Sequence, residues 1–378
     1  MKLDWLKPVA TDPGPHVSVY VDVSRTREKG AHEMEVRWKD AREALAGQGA
    51  PEPALQALDD VATTPAEVGG PVGRALIAST GGIEIDVLLP DPPAQDEAVT
   101  GPVAHLMPLV RSLADDVRYV MVELDRAGAD ITVTSSDAPR GSEEVREVTA
   151  GHDLLHKIPG GGWAHLRYQH AVQDSWDHNA AAVAEELHAI VRDQHPEVVL
   201  LTGDVKASAA LRGKAAKQVL ELLVDVPGGS RHPGVHEESF NAAVAEALEQ
   251  VRRRRRDAVV DEFEQEAGRG GRAVKGLAPV VDALRRGQVR TVLLRDDPDP
   301  GGESEMLWVG ATALEIGTTA EEVRALGGDG EPFRVRADAA IVRALAASDA
   351  EIELVAERPD LVQGIGAVLR YADASTPA

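Results

Sequence analysis

The sequence contains no cysteine. That excludes disulfides, thiolate metal sites and a cysteine nucleophile, and it agrees with a cytoplasmic protein. Aromatic residues make up only 3% of the 378, so the cores must be aliphatic, built from Ala, Val and Leu. No apolar run reaches the roughly 18–20 residues needed to cross a bilayer. Met1–Gly14 has no apolar leader core, so neither a membrane span nor a signal peptide is expected. Basic charge is also scarce. Forty Lys and Arg against 63 Asp and Glu leave a net charge of −23, which argues against a broad nucleic-acid surface. A nucleotide-binding loop is missing too: Gly69-Gly70-Pro71-Val72-Gly73 has a proline where a phosphate cradle needs an N–H.

What is present is an ordinary globular composition, 43% hydrophobic and 27% charged, in a chain long enough for two or three domains. Val17–Val23 alternates like a strand, and residues 31–46 and 53–61 read as helices. Residues 75–78 and 83–89 form a hairpin about Thr80-Gly81-Gly82, and the polar run from Asp91 to Gly101 reads as loop. This gives a first α+β domain over about 1–116. Tyr119–Leu124 and Ala129–Val133 form a second hairpin, followed by a polar linker from Asp137 to Gly151. A helix is expected from about Ala164 to Arg192, a strand over 197–202 and one helix over 207–224. The alternation suggests an α/β layer for a middle domain over 117–250. A long helix over 236–267 leads into a last domain over 251–378. There, helices over 277–286 and 338–347, the second capped by Asp338, alternate with strands over 289–294 and 351–355. Gly287 sits where a helix C-terminus favours glycine. The fold class expected is thus mixed, α/β and α+β, in three domains with mixed sheets flanked by helices.

Two stretches carry candidate chemistry. The first is Pro159-Gly160-Gly161-Gly162-Trp163-Ala164-His165-Leu166-Arg167-Tyr168. Consecutive glycines are costly to order and suit a hinge or a loop tip. A bulky indole beside them either folds back into a core or stacks on something outside, an RNA base for instance. His165 and Arg167 stand close enough in sequence to meet phosphates. The second is Arg252-Arg253-Arg254-Arg255-Arg256. Such a block usually forms a solvated helix face, but in so acidic a chain it is a candidate RNA or ribosome contact. Glu123, Asp125 and Asp204 at strand ends offer a weaker nuclease-type reading, with Mg²⁺ held by converging carboxylates. The histidine pairs His152/His156 and His232/His236 have i,i+4 spacing but lie in loop-like or helix-start sequence. No cofactor and no metal site is therefore expected.

The glycine stretch resembles the GGQ loop of the archaeo-eukaryotic class-1 release factors, with Gly161 and Gly162 on the two glycines and Leu166, Arg167 and Tyr168 on the helix start that follows. Further matches fall in the family's order: Leu201–Lys206, Ser239–Val244, Val280–Leu294 and the ending Gly364–Tyr371. On these residues the chain is identified as a bacterial member of the release factor and Pelota superfamily, similar to hibernation factors of the Balon type. The resemblance implies a middle domain reaching the peptidyl-transferase centre in the ribosomal A site. It also implies a third domain similar to kink-turn-binding ribosomal proteins, contacting rRNA and a translational GTPase such as EF-Tu. The first domain is decoding-like, yet neither stop-codon motif, the Asn-Ile-Lys-Ser type or the Tyr-x-Cys type, is present.

Trp163 stands where the family has its catalytic Gln. An indole has one donor and no carbonyl acceptor, and it cannot reproduce Gln geometry, so weak or no peptide release is expected and no catalytic residue is assigned. The function expected is a non-catalytic ribosome-associated factor at the A site of idle ribosomes. The alternatives are a ribosome-rescue peptidyl-tRNA hydrolase and a regulatory interaction protein that has left the ribosome.

Overall fold

The computed structural model describes residues 1–24, 30–64, 71–125, 127–136, 144–148, 162–230, 237–296, 305–328, 330–356 and 358–373, with side chains for all of these except 30–33 and 162–177. In chain order the first stretch carries α1 (Lys7–Thr11), β1 (His16–Asp22), α2 (Gly30–Gly47), α3 (Glu52–Asp59), β2 (Gly73–Ser79), β3 (Gly82–Leu89), β4 (Glu97–Gly101) and α4 (Met107–Leu113). The middle stretch carries β5 (Arg118–Leu124), β6 (Ala129–Ser135), β7 (Glu144–Val148), α5 (Gly162–Gln194), β8 (Val198–Gly203), α6 (Val205–Lys214), α7 (Lys217–Leu222) and β9 (Leu223–Asp225). Next come α8 (Glu237–Gly268), β10 (Ala273–Lys275), α9 (Leu277–Arg285), β11 (Val289–Arg295), β12 (Met306–Val309), β13 (Ile316–Gly317) and α10 (Ala320–Arg324). The chain closes with β14 (Phe333–Arg336), α11 (Ala337–Ala347), β15 (Glu351–Val355) and β16 (Ile365–Leu369).

The chain forms two compact units: Met1–Asp115 with Arg255–Ala378, and Asp116–Arg254. The stretches expected as first and third domains therefore lie in one unit. One hydrophobic core joins them, with Leu6, Val9 and Tyr20 in the same cluster as Val280, Ile341 and Leu345. The amino terminus is stitched to β15 as well: the Met1 ammonium donates to the Ile352 carbonyl at 2.7 Å, and Ile352 N–H donates back to the Met1 carbonyl at 3.0 Å. The described residues of this unit form three sheets, ordered β3-β2-β1-β4, β10-β16-β11-β15 and β13-β12-β14.

The second unit is a three-layer sandwich about the sheet β7-β6-β5-β8-β9. β5 pairs antiparallel with β6 and parallel with β8. Alternate residues leave opposite faces, as the pleat requires. Val120, Val122 and Leu124 join Val183, Leu187 and Ile190 of α5, whereas Met121 joins Leu248 and Val251 of α8. Gly203 ends β8 with φ of 121°, and a Cβ there would come within 1.9 Å of the Leu124 carbonyl, so only glycine fits beside β5. Gly366 does a similar service in β16, where a Cβ would press on the Phe263 ring at 2.6 Å.

Several expectations need correction. The run from Asp91 to Gly101 is not all loop, because Glu97–Gly101 is an edge strand antiparallel to β1. Part of the supposed linker, Glu144–Val148, is likewise an edge strand on β6. Both show little burial, so they lack the alternating apolar signal of a half-buried strand. The single helix expected over 207–224 is two helices and a short strand. Ala215 and Ala216 are extended, while buried Leu211 and Val219 keep the apolar spacing going across the break. Asp338 lies inside the first turn of α11 rather than at its N-cap. The cap is Arg336, which Asp338 binds at 2.6 Å.

Candidate functional site

Helix α5 starts at Gly162, within the glycine stretch, and runs 33 residues. At 1.5 Å per residue that is about 50 Å. Its C-terminal half is fixed to the sheet, with Val183, Leu187 and Ile190 buried at helical spacing. Gly160 and Gly161 lie outside the described residues, as do the side chains of Trp163, His165 and Arg167. The strand-end turns on the same sheet are closed by carboxylates with structural partners. Asp125 accepts from Ala127 N–H at 2.7 Å and Gly128 N–H at 2.9 Å. Asp204 caps α6 by accepting from Lys206 and Ala207 N–H, each at 2.9 Å. With Glu123 they form no metal-type cluster among the described residues, so the Mg²⁺ nuclease reading gains no support. His152, His156, His232 and His236 lie outside the described residues.

The arginine block lies on α8, and the boundary between the units falls between Arg254 and Arg255. Three of its members are turned to intramolecular partners. Arg252 donates to Ser136 Oγ at 3.0 Å, and Ser136 Oγ donates in turn to Asp116 at 3.2 Å. Arg255 donates to the Ala114 carbonyl at 2.7 Å and stands 4.0 Å from the buried Glu353 carboxylate, whose pKa is pushed up by burial. Arg256 reaches Asp115 at 3.3 Å. Arg253 and Arg254 are exposed; Arg253 binds Glu249 one turn back at 3.1 Å, and Arg254 donates to the Gln250 carbonyl at 3.2 Å. The outward positive face is therefore Arg253 and Arg254, much smaller than the sequence block.

Elsewhere in the first unit a cleft of about 290 Å³ is lined by Glu97, His105, Arg334 and Arg336 among others. The His105 imidazole, its Nε2 3.5 Å away, holds the Glu97 carboxyl below its usual range. The cleft collects charge, and the Ser18 hydroxyl on its wall accepts from the His105 backbone N–H at 2.9 Å. Among the described residues no helix is long and apolar enough to cross a membrane.

The model of the bacterial archaeo-eukaryotic release factor family 2 matches residues 118–269. Two proteins of Mycobacterium tuberculosis, the uncharacterized proteins Rv2629 and MT2704, are each 30% identical over 375 residues, covering 98% of this chain and 96% of theirs. The chain belongs to this release-factor-like family. Among solved structures, Dom34 of S. cerevisiae, a translation termination-like factor, is 12% identical with 81% of each chain covered and a TM-score of 0.40. The archaeal termination factor aRF1 is 16% identical, covering 97% of this chain and 95% of that one, with a TM-score of 0.24. The family match takes in α5, β8 and α8, the elements that carry the glycine stretch, the Gly203 turn and the arginines. Sequence reading missed that most of those arginines are consumed internally. The signal was there only in part: acidic Asp115, Asp116 and Glu249 are visible, but their proximity is not.

Proposed function

We propose that this member of the release-factor-like family is a non-catalytic ribosome-associated translation factor. It occupies the A site of idle ribosomes and presents the stretch Gly160–Trp163 towards the peptidyl-transferase centre. The observation that carries the reading is Trp163, one residue into α5, at the position of the family's catalytic Gln. A tryptophan stacks on a base, worth roughly 1–3 kcal/mol, but cannot orient a hydrolytic water as an amide does. Gly160, Gly161, Gly162, His165 and Arg167 complete the rRNA-facing loop, and Arg253 and Arg254 add a small phosphate-facing patch. On the same reading the segment over 1–116 is decoding-like, the one over 117–250 carries the loop, and the one over 251–378 meets rRNA and a translational GTPase of the EF-Tu kind. The protein acts in the cytoplasm.

Co-sedimentation with ribosomes from growing and starved cells, across a salt series, tests this. Binding that strengthens in starvation and weakens with salt is expected. Absence of binding in both states overturns the reading and leaves the interaction protein, which the net charge of −23 favours. Trp163→Gln in a reconstituted release assay separates the rescue enzyme from the silent factor: the native protein is expected to release no peptide.

A further inference from the structure

His16 opens β1 and is 2% exposed. Among the described residues neither of its ring nitrogens has a hydrogen-bond partner, and Glu84 Oε1 is buried without one as well. Buried polar groups are nearly always bonded, so an unspent imidazole beside an unspent carboxylate oxygen calls for an explanation. His16 Nε2 lies 3.5 Å from Asp12 Oδ1 and 3.9 Å from Glu84 Oε2. All three donor atoms fall within 4.8 Å of one another. These gaps are too long for N–H···O bonds. They are near the edge of a tetrahedron of ligands about a zinc-sized ion, roughly 3.3 Å for bonds of about 2.0–2.1 Å.

The backbone is arranged to bring the groups together. Ile77 pairs with Ile85 and Ala78 with Ile83, so Glu84 is the extra residue of a β-bulge on β3. Bulges commonly re-aim a side chain. Asp12 is held in the turn before β1, where its Oδ1 accepts from Gly14 N–H at 2.8 Å. The charges facing His16 are Asp12, Glu84 and Arg343. The Arg343 guanidinium is itself bound to the carbonyls of Ala10, Gly310 and Ala311 at 3.2, 3.1 and 2.7 Å.

The geometry points to a divalent metal site of the zinc class, ligated by Asp12, His16 and Glu84, that clasps the turn before β1 to the bulge of β3. Two carboxylates and a neutral imidazole suit Zn²⁺ better than Mg²⁺ or Ca²⁺, which prefer an all-oxygen shell. The nearby Arg343 charge also disfavours a cation held by Coulomb attraction alone. Asp12 remains partly exposed, which leaves a route for a water as fourth ligand. This site lies outside the residues of the proposed ribosome contact and stands without that reading.

The test is direct titration of the full chain, stripped with a chelator, with Zn²⁺ against a chromophoric competitor. One tight equivalent and a raised melting temperature are expected. In Asp12→Asn and Glu84→Gln, both isosteric and at partly exposed positions, that equivalent should weaken at least about tenfold with the far-ultraviolet circular dichroism unchanged. Co²⁺ in place of Zn²⁺ should give visible bands of a four-coordinate site in the native chain and lose them in both variants. No tight equivalent in the native chain, or undiminished uptake in both variants, overturns the site and leaves a buried histidine–carboxylate cluster without metal.

Discussion

The arginine run of α8 and the Asp12–His16–Glu84 cluster are opposites. The run is conspicuous in sequence, yet Arg252, Arg255 and Arg256 spend their donors on Ser136, the Ala114 carbonyl and Asp115. The cluster is invisible in sequence, yet its imidazole spends nothing on any described residue. A run of one charge is therefore a poor measure of what is available to a partner. Bonding capacity left over in the fold is a better one.

The largest effect expected in this comparison is at Arg343, the buried cation beside the cluster. Arg343→Met leaves three carbonyls without their donor and should cost roughly 3 kcal/mol in urea unfolding. Within the run, Arg255→Ala should cost about 2 kcal/mol, because it strips the Ala114 carbonyl and leaves Glu353 with the Met1 ammonium at 3.7 Å and the Arg256 charge farther off. A loss below about 0.5 kcal/mol there would return Arg255 to the solvated face that the sequence suggests.

The far end of α8 sharpens the contrast through pH. Glu266 accepts from Arg272 N–H at 2.8 Å and from the Arg272 guanidinium at 3.0 Å, and Arg269 also binds it. These bonds, the backbone one first, lower its pKa from 4.5 to about 2. Its contribution to stability is therefore complete above the unfolded value and is lost as pH falls from about 4.5 towards about 2. Glu266→Gln should flatten that part of the stability–pH curve, read by thermal unfolding across the acid range. The smallest effect belongs to the outward arginines. Arg253→Ala and Arg254→Ala should each change stability by no more than about 0.5 kcal/mol. If the proposed function holds, each should lower the salt slope of ribosome binding by about one unit. Unchanged salt dependence in the double variant would remove the patch from the ribosome contact.

Much of the middle unit is legible in the sequence. The β5–β6 hairpin, the apolar β8 and the stripe of α5 all follow from local periodicity. Gly287 takes the left-handed conformation expected just past α9, with φ of 66°. The edge strands β4 and β7 escape because an edge buries little and so leaves no alternating pattern. The α6–α7 break escapes because the apolar spacing runs through it. The metal-type cluster escapes because its members come from the turn before β1 and from a bulge two strands away in the sheet, with β2 between them.

By itself, then, the sequence determined most of the helices and strands, the glycine just past α9, and which family's motifs the chain carries. Those properties depend on neighbours a few residues away along the chain. Only the tertiary structure decided which charges are consumed and which remain, because a charged group's free energy depends on partners and solvent exposure that long-range folding brings together.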